Sequence, residues 1–329
     1  MPRVALCFLV TVGLMASPDA GAVIVSAAWL HGQLASATGG VVVVEVSWTP
    51  PGKPDAFALG HIPGAVHLNT DELENGYPRW HLRPDGELQA LEGELGIAPD
   101  STVVVYGQQT IAAARAWWVL HYAGVRDVCY LDGGLAAWRR HRYPVEKGVR
   151  GRRRVAFAGA LREETRATTD HVAGRVRQGG AALADVRSDA EYLGTSSGYS
   201  YLAAKGRIPG AILAGNADDS ARIYQHAGGM LRSLAEVRRE WRRRGLLNAQ
   251  GEAAGEIIFY CGSGWRSSLA FLYAHAMGLK RIRNYSDGWS GWSTEYEPDA
   301  GVKGITPGWR QRRSANPVAA GKSSGALVP

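Results

Sequence analysis

A chain of 329 residues is longer than one ordinary domain, and a composition of 46% hydrophobic and 20% charged residues excludes global disorder. Two domains are expected. The formal charge of +7 favours small anionic ligands through weak electrostatic steering.

Residues 1–22 read as a targeting segment. Arg3 supplies the positive start, Val4 to Met15 an apolar run, and Ala20-Gly21-Ala22 a small-residue cleavage site. That run is too short to span a bilayer as a permanent helix, so no stable membrane insertion is expected. An exported protein, periplasmic or secreted and mature from about Val23, follows, and Cys7 leaves with the segment.

Val41 to Val46 is a β-branched run suited to a buried strand, and the turn Gly60-His61-Ile62-Pro63-Gly64-Ala65 comes after it. Thr102 to Tyr106 predicts a strand, Ile111 to Tyr122 a helix, Asp127 to Leu131 a strand and Leu135 to Arg140 a helix. Strands and helices alternating at this spacing imply βαβ units with right-handed crossovers. The fold class is therefore α/β and doubly wound, a mainly parallel sheet covered by helices on both faces. Cys129, inside Val128-Cys129-Tyr130-Leu131, reads as a small core hydrophobe.

The same pattern then returns. The turn reappears 146 residues later as Gly206-Arg207-Ile208-Pro209-Gly210-Ala211. Tyr106 and Tyr260, Gly124 and Gly278, Gly134 and Gly288, and Trp138 and Trp292 are each 154 apart. A constant offset over that span is the duplication of a domain. A basic, Gly-containing stretch begins near Pro144. It leaves a first domain over 23–148, a linker over 149–160, a second domain over 161–300 and a tail over 301–329 expected to be disordered. In the second copy, Ala182 to Arg187 predicts a strand ending in charged residues, and Gly194 to Lys205 a mobile loop near the cleft. Leu231, Leu234, Val237 and Trp241 have the spacing of an amphipathic helix whose basic face, Arg238 to Arg244, is solvated. Neither that run nor Arg150 to Arg154 argues for nucleic acid in an exported protein.

Chemistry concentrates around Cys261. Ile257 to Tyr260 form an uninterrupted apolar strand, Gly262, Ser263 and Gly264 let the backbone curl, and Leu269, Leu272, Tyr273 and Ala276 recur at helical spacing. Cys261 thus stands at a strand's carboxyl end, facing a helix N-terminus whose unpaired N–H groups and dipole favour a thiolate. Arg266 adds a full positive charge, which completes an anion-receiving cradle. The first copy has Gly107 and Ala112 at the matching places, so it lacks both groups. Cys129 and Cys261 fall in different copies and are expected to be free thiols.

The tandem arrangement, the Gly-His/Arg-Ile-Pro-Gly-Ala turns and this loop resemble the rhodanese-type sulfurtransferases. The resemblance implies two tandem rhodanese-like domains, the first without a nucleophile. It implies Cys261 as the catalytic nucleophile and Gly262, Ser263, Gly264, Trp265, Arg266 and Ser267 as the loop that holds substrate and persulfide. Asp185, similar to the family's strand-end aspartate, and Glu191 stand in support. The reaction implied is a ping-pong transfer of sulfur from a small anionic donor, thiosulfate or 3-mercaptopyruvate, to a thiol or cyanide, or to a protein acceptor. No metal or organic cofactor is implied, and no Cys/His cluster has metal-ligand spacing.

Cys261-Gly262-Ser263-Gly264 is similar to the 3-mercaptopyruvate branch, whereas the thiosulfate branch typically carries two basic residues where Gly262 and Ser263 stand. Glu191 occupies a place where tandem members usually have a substrate-binding arginine. Thiosulfate is nonetheless favoured as donor, because a small dianion needs only N–H groups and Arg266. A persulfide carrier loaded by a partner is the alternative. Cysteine phosphatases place their arginine after five intervening residues; here four intervene and Ser267 comes next, a smaller ring suited to sulfur.

Overall fold

The computed structural model describes residues 22–296, apart from 37–39, 50–52, 54–55, 77–79, 150, 152 and 216–221. The targeting segment through residue 21 and the 301–329 tail lie outside the described residues.

The first domain is built from β1 (Ile24–Val25), α1 (Ala27–Ala35), β2 (Val41–Ser47), α2 (Ala56–Leu59), β3 (Val66–Asn69), α3 (Asp85–Glu94), β4 (Thr102–Gly107), α4 (Thr110–Ala123), β5 (Asp127–Leu131) and α5 (Gly134–Arg140). Its strands pair in parallel in the order β1-β5-β4-β2-β3. Val43, Val44, Val103, Val104 and Val105 are buried on both faces of that sheet, which is why the runs lack polar alternation.

The second domain repeats the plan with β6 (Arg166–Ala167), α6 (Thr169–Gln178), β7 (Ala181–Asp185), α7 (Asp189–Tyr192), β8 (Ile212–Leu213), α8 (Leu234–Arg243), β9 (Glu256–Tyr260), α9 (Trp265–Ala276), β10 (Ile282–Tyr285) and α10 (Gly288–Glu295). The order β6-β10-β9-β7-β8, again parallel, superimposes position for position on the first sheet. The repeated turns dock alike: Ile62 N–H donates to Tyr106 Oη at 3.0 Å and Ile208 N–H to Tyr260 Oη at 3.3 Å.

The equivalent helices α4 and α9 pack against each other and join the two cores. Trp117 lies 5.6 Å from the ring of His275 and 6.3 Å from that of Phe271. Burying a side chain of this size contributes roughly 1.5–3 kcal/mol. His121 sits in the same seam, 4.8 Å from His275, and burial drives its pKa down to about 3, so the pair meets as neutral rings.

Some element ends differ from the sequence expectation for local reasons. The strand expected to reach Arg187 ends at Asp185, because the chain turns there as Arg187 folds back onto the Asp185 carboxylate. The helix carrying Trp241 begins at Leu234 rather than Leu231: Ser233 caps it, with Glu236 closing a reciprocal capping box. Its basic face is not wholly solvated, since Arg238 donates to the carbonyls of Gly251 at 2.7 Å and Met277 at 3.1 Å. In the first domain, Trp138 is buried with its N–H on Pro144 O at 2.6 Å, and Gly133 takes a left-handed φ of 70° before α5.

Candidate active site

Cys261 follows β9 directly, and Gly264 starts α9 with a φ of 94°, a left-handed value that glycine adopts without strain. That curl turns the Gly264 amide onto the thiol, at 3.2 Å from Sγ. The loop's carbonyls point the other way and are taken by the next helix: Trp289 N–H donates to Cys261 O at 2.7 Å and Ser290 N–H to Gly262 O at 2.9 Å. With α10 holding the carbonyls and α9 presenting its N-terminus, the sulfur faces partial positive charge.

Ser267 Oγ lies 3.7 Å from Sγ and 2.6 Å from Asn284 Oδ1. A hydroxyl has one proton, so Ser267 serves the sulfur only when it turns from Asn284. The Asn284 amide is itself fixed, its Nδ2 donating to Ser268 Oγ at 2.9 Å, while Ser268 Oγ donates to Gly264 O at 2.7 Å. This buried polar ladder stiffens the start of α9 under the thiol. Sequence reasoning missed Asn284. The repeat held the signal, because Asn284 matches Tyr130 of the first copy at the 154 offset and places an amide inside a core strand.

Arg266 is 4% exposed and bidentate to Glu191, with both N···O distances 2.8 Å. It also donates to Tyr199 Oη and lies over that ring. Burial alone would raise the Glu191 pKa, but the hydrogen bonds and charge of Arg266 outweigh it and hold the carboxyl below its ordinary range. Glu191 also closes the capping box at Ser188. The structure therefore pairs the two residues that the sequence set apart as a free cation and a displaced anion.

Asp185 is no surface charge at a strand end. Fully buried, it accepts from Arg187 Nη2 at 2.6 Å and from Tyr260 Oη at 2.6 Å. The Arg187 guanidinium reaches on to Gly206 O at 2.8 Å and lies 4.8 Å from the ring centroid of Trp289, pinning the repeated turn beneath the loop. Asp185 thus supports the floor of the site.

The segment expected to be mobile closes over the loop. A Cβ at Gly262 would overlap the Tyr199 ring, the Tyr201 hydroxyl is hydrogen-bonded to Ser263, and Cys261 is left 1% exposed. Burial pushes the Tyr199 phenol up to about 12 against the opposing charge of Arg266. From the first domain, Trp80 meets Tyr201 edge-on at 6.2 Å, and Trp265 Nε1 donates to Glu74 Oε1 at 2.9 Å. The first domain accordingly forms part of the wall, through residues that no motif marked.

Among the described residues, Cys129 and Cys261 are free, and no group of three His, Cys, Asp or Glu residues is placed to hold a metal. Burial pushes the Cys129 thiol up to about 11, in keeping with its place beside the first core. Among these residues no helix is long and apolar enough to cross a membrane.

Two doubly wound parallel domains, one with a cysteine loop at the carboxyl edge of its sheet, define a tandem α/β protein with a single thiol site. The chain belongs to the rhodanese-like domain family, whose model matches residues 26–141 and 168–295. It is 34% identical over 279 residues to the thiosulfate sulfurtransferase YnjE of Escherichia coli (strain K12), covering 81% of this chain and 62% of that protein. This chain thus spans less than two thirds of YnjE. It is 32% identical over 256 residues to a thiosulfate sulfurtransferase of Azotobacter vinelandii, covering 75% of this chain and 87% of that one. Among solved structures, a variant of EanB with its cysteine as a persulfide, in a tetrahedral intermediate state with ergothioneine, matches with a TM-score of 0.75. The identity there is 31%, over 85% of this chain and 71% of that one.

Proposed function

We propose that this chain is a sulfurtransferase working through a persulfide on Cys261, and that thiosulfate is its first donor. The observation that carries the reading is the Gly264 amide on Cys261 Sγ at the mouth of α9. The thiolate attacks the outer sulfur of thiosulfate; a Cys261–S bond forms, the donor's S–S bond breaks, and sulfite leaves with the electron pair. The outer persulfide sulfur then takes the place of the thiolate before the α9 N-terminus. Attack on it by cyanide or a thiolate forms the new bond to sulfur and returns Cys261 as thiolate. The relatives' names support thiosulfate as donor. In this reading the enzyme acts outside the cytoplasm, periplasmic or secreted, on the strength of the 1–22 segment.

A second reading, a persulfide carrier loaded by a partner protein, draws on two other observations. Cys261 is covered, and Arg266 is already neutralised by Glu191. One experiment separates them: turnover of thiosulfate or 3-mercaptopyruvate with cyanide, alongside intact mass of the mature chain after donor exposure. An enzyme shows repeated turnover and one added sulfur atom, lost in Cys261→Ala. A carrier shows the added sulfur without turnover, and the absence of both in the reduced wild type rejects the two together.

A further inference from the structure

We propose that the domain without the cysteine supplies two positioning residues, Glu74 and Arg115, which clamp the Cys261 loop across the domain interface in its sulfur-receiving shape. This rests on the sulfurtransferase reading and assigns that site a part the repeat does not predict.

Both groups are buried, and they meet first each other: Arg115 Nε donates to Glu74 Oε1 at 2.9 Å. Each then crosses to one flank of the loop. Glu74 Oε1 also accepts the indole N–H of Trp265, the first residue of α9 and the neighbour of the amide that meets Sγ. Arg115 Nη2 donates to Ser286 Oγ at 2.9 Å, in the turn that leads from β10 to α10, and α10 binds the loop's carbonyls. The Arg115 Nη1 end fills the space a Cβ at Gly264 would need, with Ser286 O on the same side. Glycine at 264 therefore serves twice, in its left-handed φ and in the room it leaves for a guanidinium from the other domain.

A buried ion pair is weak as a docking device, because desolvation cancels much of its attraction and apolar side chains of similar volume often do as well. The seam already has such packing in α4 against α9. What a paired charge adds is direction: Arg115 Nη2 is aimed at Ser286 on one flank of the loop, and Glu74 Oε1 at the Trp265 N–H on the other. The 154 offset places Leu269 opposite Arg115, so the pair has no counterpart in the second copy.

Glu74 also has a property that a passive strut lacks. Burial raises its pKa to about 7, against the charge of Arg115 and the Trp265 hydrogen bond. The groups facing it are Arg115 on α4, Trp265 on α9, Asp71 in the preceding turn and Tyr201 in the covering segment. A carboxyl whose pKa is raised in the closed clamp holds its proton more tightly there than in an open one, so the closed form is favoured below pH about 7 and gives up stability as pH rises from about 4.5 to 7.

The test is the single-turnover rate of sulfur loading on Cys261 from thiosulfate, followed by intact mass for wild type, Glu74→Gln, Arg115→Met and Trp265→Phe, with thermal unfolding beside it. Trp265→Phe keeps a smaller aromatic ring and removes the N–H that Glu74 receives. Each single variant is expected to load roughly tenfold more slowly, the loss of about one hydrogen bond to a charged group. Half-saturation by donor should stay within about twofold, and Glu74→Gln should lessen the fall in wild-type thermal stability between pH about 4.5 and 7. Trp265→Phe keeps the question answerable if Arg115→Met fails to fold. Folded variants that load at the wild-type rate overturn the clamp while the sulfurtransferase reading stands. A wild type that takes no sulfur overturns both.

Discussion

The two domains share a strand order, a docked turn and even a glycine approach, and differ at one corner. Gly134 and Gly288 enter their last helices with φ of 48° and 52°, and a Cβ would meet the strand-end carbonyl tightly in the first, Gly107 O at 3.1 Å, and overlap it in the second, Cys261 O at 2.5 Å. At that corner the first domain has Gly107, Ala112, Ala113 and Ala114 where the second has Cys261, Arg266, Ser267 and Ser268. Tyr130 likewise stands where the second has Asn284. The same backbone serves an apolar core in one copy and a polar ladder with a thiol in the other. The scaffold provides the helix end; five or six side chains decide whether anything happens there.

Four experiments press on that difference. Cys261→Ser should abolish sulfur loading entirely while leaving the circular dichroism unchanged, and residual loading would move the chemistry to another group. Arg266→Met should come next, losing about 3–5 kcal/mol in urea unfolding because it strands the Glu191 carboxylate in the interior. Adding Glu191→Gln should recover part of that loss. The sign with pH follows: because the Glu191 pKa is lowered from 4.5, its contribution is present above that value and is lost as pH falls through the folded one.

The reverse graft, Gly107→Cys, should give no second sulfur site. A Cβ there would overlap Val46 O, so the variant should lose about 1–3 kcal/mol by overpacking, read as a lower urea midpoint. A second loaded sulfur would show that the first copy kept a working cradle. The last experiment concerns the first domain's own interior. Both carboxyl oxygens of Glu92, on α3, are buried without a hydrogen-bond partner, and burial raises its pKa to about 9 against the charge of Arg162. A raised acid is protonated in the fold and ionised in the open chain. Stability should therefore fall as pH rises from about 4.5 toward 9, and Glu92→Gln should flatten that slope in denaturant titrations.

The fold was legible because its signals are local or periodic. The valine runs of β2 and β4, the strand at Ile257 to Tyr260 and the 154-residue offset each declare themselves without tertiary knowledge. The cysteine's setting was legible for the same reason, since strand, glycines and helix start are contiguous. Partnerships were not. Glu191 meets Arg266 across 75 positions and Glu74 meets Trp265 across 191, and no spacing rule carries a pairing over such distances. Even so, Arg115 among the alanines and tryptophans of α4 was a visible oddity, a charge set in an otherwise apolar helix.

Tyr199 over Gly262 has a consequence for how long a stored atom survives. Persulfides in open solution are scavenged by whatever reductant arrives first, but on the proposed mechanism one formed at Cys261 would lie beneath a phenol ring tethered to the neighbouring guanidinium. On that mechanism its lifetime would be set by how readily that ring yields, and the recipient best served would be one whose own approach displaces it.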